Sequence, residues 1–252
     1  MGKLLRDYYA ALRLALQFLT TLPAGGPVAV NDRIQGLAPL WYPLVGLLLG
    51  ALMLLAVSLL SLPFYLEAIL VLALWAALTG ALHLDGLADC ADALVGGLGD
   101  RQRRLELMQD PLCGSMAVVT LVVFLGLKVA AIAALLQIDQ AAWLLWVPLL
   151  ARCSVLLLFI TTPYARAGGL AAKMLATLPE RQVIVTVALV AALPYSLLPA
   201  VLWSYLLLLS LLLFVLVRRA AMARLGGFTG DVAGAQVELI ELVLMLALVG
   251  LL

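Results

Sequence analysis

Long apolar stretches alternate with short polar segments along most of this 252-residue chain. A bilayer core of about 30 Å needs about 20 apolar residues per helix. An uncharged run over 182–217 is divided in two, because Pro194 and Pro199 mark a turn within it. The pattern therefore predicts about seven transmembrane helices (six to eight), at residues 37–62, 64–84, 114–136, 140–162, 182–198, 200–217 and 232–252.

The segment 7–22 is too short to span a bilayer and is interrupted by Arg13. Its residues Leu12, Leu16 and Leu19 fall on one helical face, which predicts an amphipathic helix lying at the membrane interface. A cleaved signal peptide is not expected, because the following "TTLPAGGP" offers little cleavage chemistry.

The composition agrees with a membrane protein, since 66% of the residues are hydrophobic and only 12% are charged. A mean hydropathy of +1.18 excludes the surface of an ordinary water-soluble domain. We predict an all-α, polytopic membrane helix bundle that forms a single catalytic domain over residues 1–252. No nucleic-acid partner is expected.

The basic residues predict the orientation of this bundle. With seven helices, nearly all of them fall on one side of the membrane, which the positive-inside rule makes cytoplasmic together with the N-terminus. The loops 85–113, 163–181 and 218–231 would then share a cytoplasmic active-site face at the inner membrane. The residues on this side are Lys3, Arg6, Arg13, Arg33, Arg101, Arg103, Arg104, Arg166, Lys173, Arg181, Arg218, Arg219 and Arg224.

Two basic residues, Lys128 and Arg152, lie near the middle of predicted helices. An unpaired charge at this depth costs several kcal/mol, so neither side chain is expected to face lipid. We predict that Arg152 pairs with an acidic residue inside the bundle.

The segment "HLDGLADCAD", residues 83–92, is unusually acidic for this chain. Asp85, Asp89 and Asp92 are spaced i, i+4, i+7, which places three carboxylates on one helical face where they repel one another. Gly86 weakens the same turn further. Either the column binds a divalent cation, the interpretation that we favour, or it is a solvated helix end.

Oxygen ligands select Mg²⁺, Mn²⁺ or Ca²⁺, and Mg²⁺ typically binds through one or two carboxylates together with substrate phosphates. Zinc is disfavoured, because His83, Cys90 and an aspartate do not have the spacing of a common zinc site. The three cysteines, Cys90, Cys113 and Cys153, show no disulfide framework.

A second acidic pair follows in "RQRRLELMQD", where Glu106 and Asp110 are again i, i+4 on a helix opened by arginines. Two acidic helices with arginines between them would suit metal ions and a polyphosphate. The alternative is an ordinary surface helix that buries Leu105 and Met108.

Three further polar clusters are predicted on the same side: "PYARAGG" at 163–169, "GGFTGD" at 226–231, and the start of the last helix with Glu238 and Glu241. Glycines before a helix let the backbone approach a phosphate, whereas Asp231 suits a metal better. Arg166 is either a ligand for an anion or a simple determinant of topology.

Together, "GALHLDGLADCADAL", "RRLELMQDPLCGS", "PYARAGGL" and "GGFTGDVAGAQVELIE" resemble, in this order, the cobalamin-5'-phosphate synthase (adenosylcobinamide-GDP ribazoletransferase) family. The resemblance runs nearly end to end and includes "FLTTLP" and "YPLVGLLLGA". It implies a membrane transferase of vitamin B12 assembly that joins adenosylcobinamide-GDP to α-ribazole or its 5'-phosphate, releases GMP and uses Mg²⁺. Homo-oligomers and association with other cobalamin-assembly enzymes stay open.

The resemblance also implies roles for individual residues. His83 would orient an aspartate, act as a base or be a structural hydrogen bonder beside the catalytic Asp85, Asp89 and Asp92. The metal ligands, or their supporting residues, would be Asp85, Asp89, Asp92, Glu106, Asp110 and Asp231. The substrate-binding residues would be Arg103, Arg104, Arg166, Gly227, Thr229 and Gly230.

This chain departs from the family pattern at Leu112 and Ala117, where a basic residue and a glycine are common. Two other classes stay open at this point. A membrane phosphotransferase for CDP-activated alcohols also uses spaced aspartates, but it has an alanine-arginine pair that "HLDGLADCAD" lacks. A divalent cation transporter would place its carboxylates near the bilayer midplane instead.

Overall fold

The computed structural model describes residues 2–166, 168 and 170–252. The described chain is almost entirely helical, which confirms the predicted all-α class. Its α-helices, in chain order, are α1 Gly2–Leu19, α2 Asp32–Leu37, α3 Tyr42–Leu59, α4 Phe64–Thr79, α5 Leu82–Gly96, α6 Arg101–Leu107, α7 Ser115–Gln137, α8 Trp146–Thr161, α9 Leu170–Ala176, α10 Glu180–Ala192, α11 Ala200–Leu225 and α12 Gly230–Leu251. Short 3₁₀ helices at Ala38–Trp41, Ala141–Leu145 and Leu193–Ser196 precede α3 and α8 and follow α10.

Five segments of the described chain are long and apolar enough to cross a membrane. They are Asp32–Leu59, Ser115–Gln137, Ala141–Thr161, Ala200–Leu225 and Gly230–Leu251. A sixth span is obtained only if α4 and α5 are counted together across an 89° bend. The protein is therefore a polytopic membrane bundle with five or six candidate spans.

This count differs from the sequence-based one at two places. The predicted helix 64–84 stops at Thr79. In place of the predicted helix 182–198, the structure has the 13-residue α10, Glu180–Ala192, followed by a 3₁₀ turn. The last two spans, in contrast, are longer than predicted: α11 runs to Leu225 and α12 begins at Gly230.

The bend between α4 and α5 has a local cause. Gly80 ends α4 in the left-handed conformation, with φ 58°, and Ala81 follows with φ 56°. Thr21, just after α1, donates from its backbone nitrogen to the Leu78 carbonyl at 2.8 Å and from its hydroxyl to the Ala77 carbonyl at 2.9 Å. The first bond gives the Leu78 carbonyl at the helix end a partner, and the second adds to the one that Ala77 receives from Gly80, so the segment after α1 holds the bend that turns α5 away from α4.

The main core lies between α3, α4, α7, α8 and α12. The first helix, α1, covers residues 2–19, so the predicted amphipathic segment 7–22 is helical as far as Leu19. The helix buries Ala11, Ala15 and Leu19. Its exposed face carries Leu5 and Tyr9. The N-terminal helix therefore packs on the bundle along one side and is open on the other.

Candidate active site

The three aspartates of the predicted column lie on α5, as expected. Asp85 is exposed, whereas Asp89 and Asp92 are partly buried. The charge of Asp89 is opposed by three neighbouring carboxylates, Asp85, Asp231 and Asp92, and favoured by one cation, Arg166. Because these negative charges exceed the positive ones, a further cation would stabilise the site.

Asp92 has a structural partner that the sequence did not indicate. Its Oδ2 accepts from the backbone nitrogen of Gly114 at 2.6 Å, and its Oδ1 accepts from that of Ala117 at 2.9 Å. Gly114 is the N-cap of α7 and has no side chain to cap it. Asp92 therefore caps α7 from another helix and fastens α5 to it. Ala117, a departure from the family pattern, is buried at this junction.

A pocket of about 270 Å³ lies beside the aspartate column. This acidic pocket is lined by Asp85, Ala88, Asp89, Asp92, Met108, Gln109, Asp110, Pro111, Leu112, Cys113 and Ala117. Of the two acidic residues predicted in the next segment, Asp110 lies in the pocket. Leu112, the other departure from the family pattern, is also at its edge and is 79% exposed.

The predicted helical pairing of Glu106 with Asp110 is wrong. The helix α6 ends at Leu107, so Asp110 lies in the following turn, where it accepts from the Leu112 nitrogen at 3.0 Å. Glu106 instead faces solvent and pairs with Arg103 at 3.5 Å. The alternative interpretation of α6 as a surface helix that buries Met108 describes this segment better.

The predicted arginines occupy three different environments. Arg103 is exposed beside Glu106. Arg104 donates to the Arg224 carbonyl at 3.2 Å and so ties α6 to the end of α11. Only Arg166 reaches the acidic side chains of the site.

Arg166 is held by a backbone clasp between two loops. The Phe228 nitrogen donates to the Pro163 carbonyl at 2.9 Å, and the Ala165 nitrogen donates to the Phe228 carbonyl at 2.8 Å. The clasp brings Arg166 Nη2 to 2.7 Å from Asp231 Oδ2. Asp231 is therefore the partner of Arg166, and both side chains are about one-fifth exposed. Ala167 and Gly169 of the predicted "PYARAGG" cluster lie outside the described residues.

The glycine-rich segment before α12 has mainly local roles. Gly227 packs against the Pro163 carbonyl, and the Thr229 hydroxyl accepts from the Val232 nitrogen at 3.3 Å as the N-cap of α12. Thr229 also donates to Asp231 Oδ2 at 3.2 Å. Of the three residues predicted here to bind substrate, Gly230 lines two cavities.

The glycine inside the aspartate column explains how α5 meets α12. A Cβ atom on Gly86 would lie 2.7 Å from the Asp231 carbonyl oxygen, too close for any side chain. The helix-weakening residue noted in the sequence is thus the point of closest approach between the two helices. It brings Asp85 and Asp231 to neighbouring positions.

Glu238 and Glu241 are not on the polar face where the sequence placed them. Both are buried in the bundle, where Lys128 Nζ lies 2.7 Å from Glu238 Oε2 and 2.6 Å from Glu241 Oε2. Arg152 pairs with the other oxygen of Glu241, which confirms the predicted internal partner. Lys128 and Arg152 are each 1% exposed, so neither faces lipid, as predicted.

His83 is buried next to this cluster, not bonded to an aspartate. Its Nδ1 lies 3.4 Å from Arg152 Nη2. Because a guanidinium group only donates, Nδ1 accepts and the ring hydrogen is on Nε2. His83 also lines a cavity together with Asp85.

The acidic residues can be tested for their fit to a metal ion. Within the described part of the chain, no group of three or more His, Cys, Asp or Glu side chains is arranged to hold one. Mg²⁺, however, characteristically keeps waters and binds through one or two carboxylates plus substrate phosphates. Asp85 and Asp89, side by side in the acidic pocket, fit this mode, whereas a fully protein-built cage is not present among the described residues.

Two further cavities adjoin the acidic pocket. The large cavity, of about 610 Å³, lies between α1, the start of α3 and α9 and is bounded by Arg166, Gln109 and Gly230. The connecting cavity, of about 170 Å³, shares Gly230 with the large cavity and Asp85 with the acidic pocket. The three cavities, which we call the depression, therefore lie side by side: the acidic pocket is lined by carboxylates, and the large cavity is lined mainly by apolar residues.

The cysteines take no part in disulfides. Cys90, Cys113 and Cys153 are all free, and they are intermediate, exposed and buried, respectively.

Known proteins resemble this chain over nearly its whole length. The family model for cobalamin-5-phosphate synthase matches residues 11–249. A protein of Stutzerimonas stutzeri (strain A1501) named adenosylcobinamide-GDP ribazoletransferase is 49% identical, over 94% of this chain and 96% of its own. A protein of the same name from Ectopseudomonas mendocina (strain ymp) is 51% identical, over 94% of this chain and 98% of its own. A third, from Pseudomonas aeruginosa PAO1, is 49% identical over 97% and 99%. No solved structure matches the chain.

Proposed function

Because the chain belongs to the cobalamin-5-phosphate synthase family, we propose that its acidic pocket is where adenosylcobinamide-GDP is joined to α-ribazole or its 5'-phosphate. The reaction is the one named for its relatives, which match nearly end to end. The observation that carries the placement is the uncompensated negative charge around Asp89, next to open space.

The chemistry is a displacement at phosphorus. The ribazole hydroxyl forms a new oxygen–phosphorus bond to the phosphate attached to cobinamide, its proton passes to water, and the bond to the GMP phosphate breaks. GMP leaves with the bridging oxygen, so one phosphate stays in the nucleotide loop. Such a step needs in-line positioning and neutralisation of charge more than it needs covalent help from the protein.

We assign Asp85 and Asp89 as the carboxylates that hold Mg²⁺, with Asp110 lining the same pocket. When bound, Mg²⁺ neutralises charge on the pyrophosphate and orients its oxygens. Asp92 keeps α5 in place through the start of α7. Glu106 is left out of this assignment, because it pairs with Arg103 at the surface.

Arg166 is the protein cation for the pyrophosphate. Its Nη2 is anchored by Asp231 and the Met108 carbonyl, while the residue also lines the large cavity. A guanidinium that is anchored through Nη2 can bind a phosphate through Nη1 with little further ordering of the side chain. Asp231 then acts by positioning Arg166.

The orientation proposed from the basic residues places this site at the cytoplasmic face of the inner membrane. Asp100, Lys173 and Arg224 are exposed at the end of the bundle that carries the site, whereas Asp139 follows α7 at the other end. Nucleotide-linked substrates would thus reach the pocket from the cytoplasm.

The test is a stoichiometric assay of purified protein in liposomes. With Mg²⁺, adenosylcobinamide-GDP and α-ribazole, GMP and the ribazole-containing corrinoid should form in equal amounts, and EDTA should stop both. GMP without ribazole would indicate hydrolysis. Transfer of a CDP-linked group to an alcohol, with no ribazole-containing corrinoid, would overturn the proposal.

A further inference from the structure

The large cavity has walls that suit an aromatic, weakly polar ligand. Phe18 and Tyr42 lie nearly parallel on one side, with ring centroids 6.3 Å apart and an interplanar angle of 18°. Leu14, Ala171 and Met174 complete much of the apolar surface. We propose that this cavity binds the aromatic base of the ribazole substrate, an inference that rests on the proposed function.

The chemistry of that base matches these walls. The base of α-ribazole is a benzimidazole with two methyl groups, a flat bicycle with a single ring nitrogen left as an acceptor. Flat apolar rings gain from aromatic neighbours and from the polarisable sulfur of methionine. The Tyr42 hydroxyl lies 3.6 Å from the Met174 sulfur, so these two side chains form one continuous wall.

The other aromatic group of the reaction fits less well. Guanine carries several donors and acceptors, and each one buried without a partner would cost free energy. The large cavity offers few polar side chains for these groups: apart from two tyrosine hydroxyls, they are those of Gln35, Gln109 and Arg166, and its other side chains are apolar. This lining favours the methylated benzimidazole over the guanine of adenosylcobinamide-GDP.

The volume of the large cavity also favours the ribazole as its ligand. About 610 Å³ lies within the range of sites for single small molecules, about 300–1,000 Å³. A nucleoside fits such a space, whereas a corrin macrocycle with its side chains and upper ligand needs an open surface. The corrinoid is thus left to the exposed mouth of the depression.

The large cavity also lies next to the proposed site of the reaction. The large cavity shares Gln109 with the acidic pocket and Gly230 with the connecting cavity, which reaches Asp85. A base held between Phe18 and Met174 therefore directs its ribose past Arg166 toward the aspartates. This is the direction that the attacking hydroxyl needs.

The test separates the two substrates by steady-state kinetics in which each is varied. Ala171→Phe places a phenyl ring in the cavity and should raise the KM for α-ribazole about tenfold or more, because the ring occupies space that the base needs. The KM for adenosylcobinamide-GDP should change less than about twofold. The matched control is Ala188→Phe, which adds the same volume at an exposed position on α10 and should change neither.

A second variant and a binding measurement protect the test against misfolding. Phe18→Ala removes one aromatic wall from a residue that is 43% exposed, and it should also raise the KM for α-ribazole. Equilibrium dialysis of α-ribazole against the detergent-solubilised protein, with no corrinoid present, should show weaker binding for both variants.

The outcomes distinguish this inference from the function on which it rests. If the wild type makes product but Ala171→Phe or Phe18→Ala raises only the KM for adenosylcobinamide-GDP, the cavity belongs to the corrinoid or guanosine and the inference fails alone. Unchanged KM and binding in both variants would overturn it as well. A wild type that releases no ribazole-dependent GMP would overturn the proposed function itself.

Discussion

Gly114 leaves the space that the Asp92 carboxylate occupies: a Cβ atom on Gly114 would lie 2.6 Å from Asp92 Oδ1. The bond between these residues joins two helices that are separated in the chain by α6. Asp92 therefore connects α5 to α7 in addition to contributing negative charge to the site.

Gly114→Ala should displace the Asp92 carboxylate and remove the cap of α7. We expect a loss of about 1–2 kcal/mol in the free energy of unfolding, the usual worth of a cap, together with reduced transfer activity because α5 shifts. Thermal unfolding in detergent and GMP release would measure the two effects. The matched control is Gly126→Ala in the same helix, where no atom lies within 4 Å of the added Cβ. Equal behaviour of both variants would contradict the role of Asp92 as a cap.

Asp89→Asn should leave the protein folded and inserted but lower transfer by at least about 100-fold, because the substitution removes a charged metal ligand. GMP release would be followed at increasing Mg²⁺ concentration. Asp139→Asn is the control, since Asp139 is exposed beyond the far end of α7 and asparagine tolerates its positive φ of 56°. Near-normal turnover of Asp89→Asn at saturating Mg²⁺ would contradict the assignment of Asp89 as a metal ligand.

Lys128→Met should destabilise the bundle strongly. It leaves Glu238 and Glu241 with Arg152 as the remaining cation of the cluster, and breaking a buried pair costs about 3–5 kcal/mol. The double variant Lys128→Met/Glu238→Gln restores neutrality and should recover much of the loss. Thermal unfolding in detergent would compare them, with the exposed Lys173→Met as control. A double variant less stable than the single one would show that charge balance is not what the cluster supplies.

The proposed orientation predicts a pattern of chemical labelling. After the native cysteines are replaced, single cysteines at Asp100, Lys173 and Arg224 should react only with reagents on the cytoplasmic side, and one at Asp139 only with reagents on the other side. Inside-out and right-side-out vesicles allow this comparison. If the first three positions were divided between the two sides, a common active-site face would be excluded.

Local periodicity was enough to place the aspartates on one helix face, because the spacing of Asp85, Asp89 and Asp92 depends only on the helical repeat. Periodicity was not enough to show that the Asp92 carboxylate already accepts two hydrogen bonds, since its partners at Gly114 and Ala117 lie beyond an intervening helix. The end of α6, in contrast, had a local signal that the pairing of Glu106 with Asp110 overlooked: Pro111 follows Asp110 and disfavours helix at the residue before it.

The spans were predictable from length and hydropathy where a helix is long, as for α7 and α12. The end of α4 was harder to predict, because the bend depends on Gly80 and on the left-handed Ala81, whose conformation is held partly by Thr21. The burial of Lys128 and Arg152 followed from the cost of an unpaired charge in lipid. Their partners could not be identified in full, because Glu238 and Glu241 read locally as the polar start of a helix.

The buried charges impose an order on assembly in the membrane. Both cations of the cluster lie on α7 and α8, whereas both carboxylates lie on α12, which is synthesised after α10 and α11. A helix with an unpaired charge is poorly held by lipid, so α7 and α8 reach their final burial only when α12 has inserted beside them. Until then the two cations must be solvated by water, by headgroups or by the insertion machinery. A ribosome that stalls before α12 therefore leaves behind a nascent chain with two unneutralised cations, and their exposure distinguishes it from a finished protein.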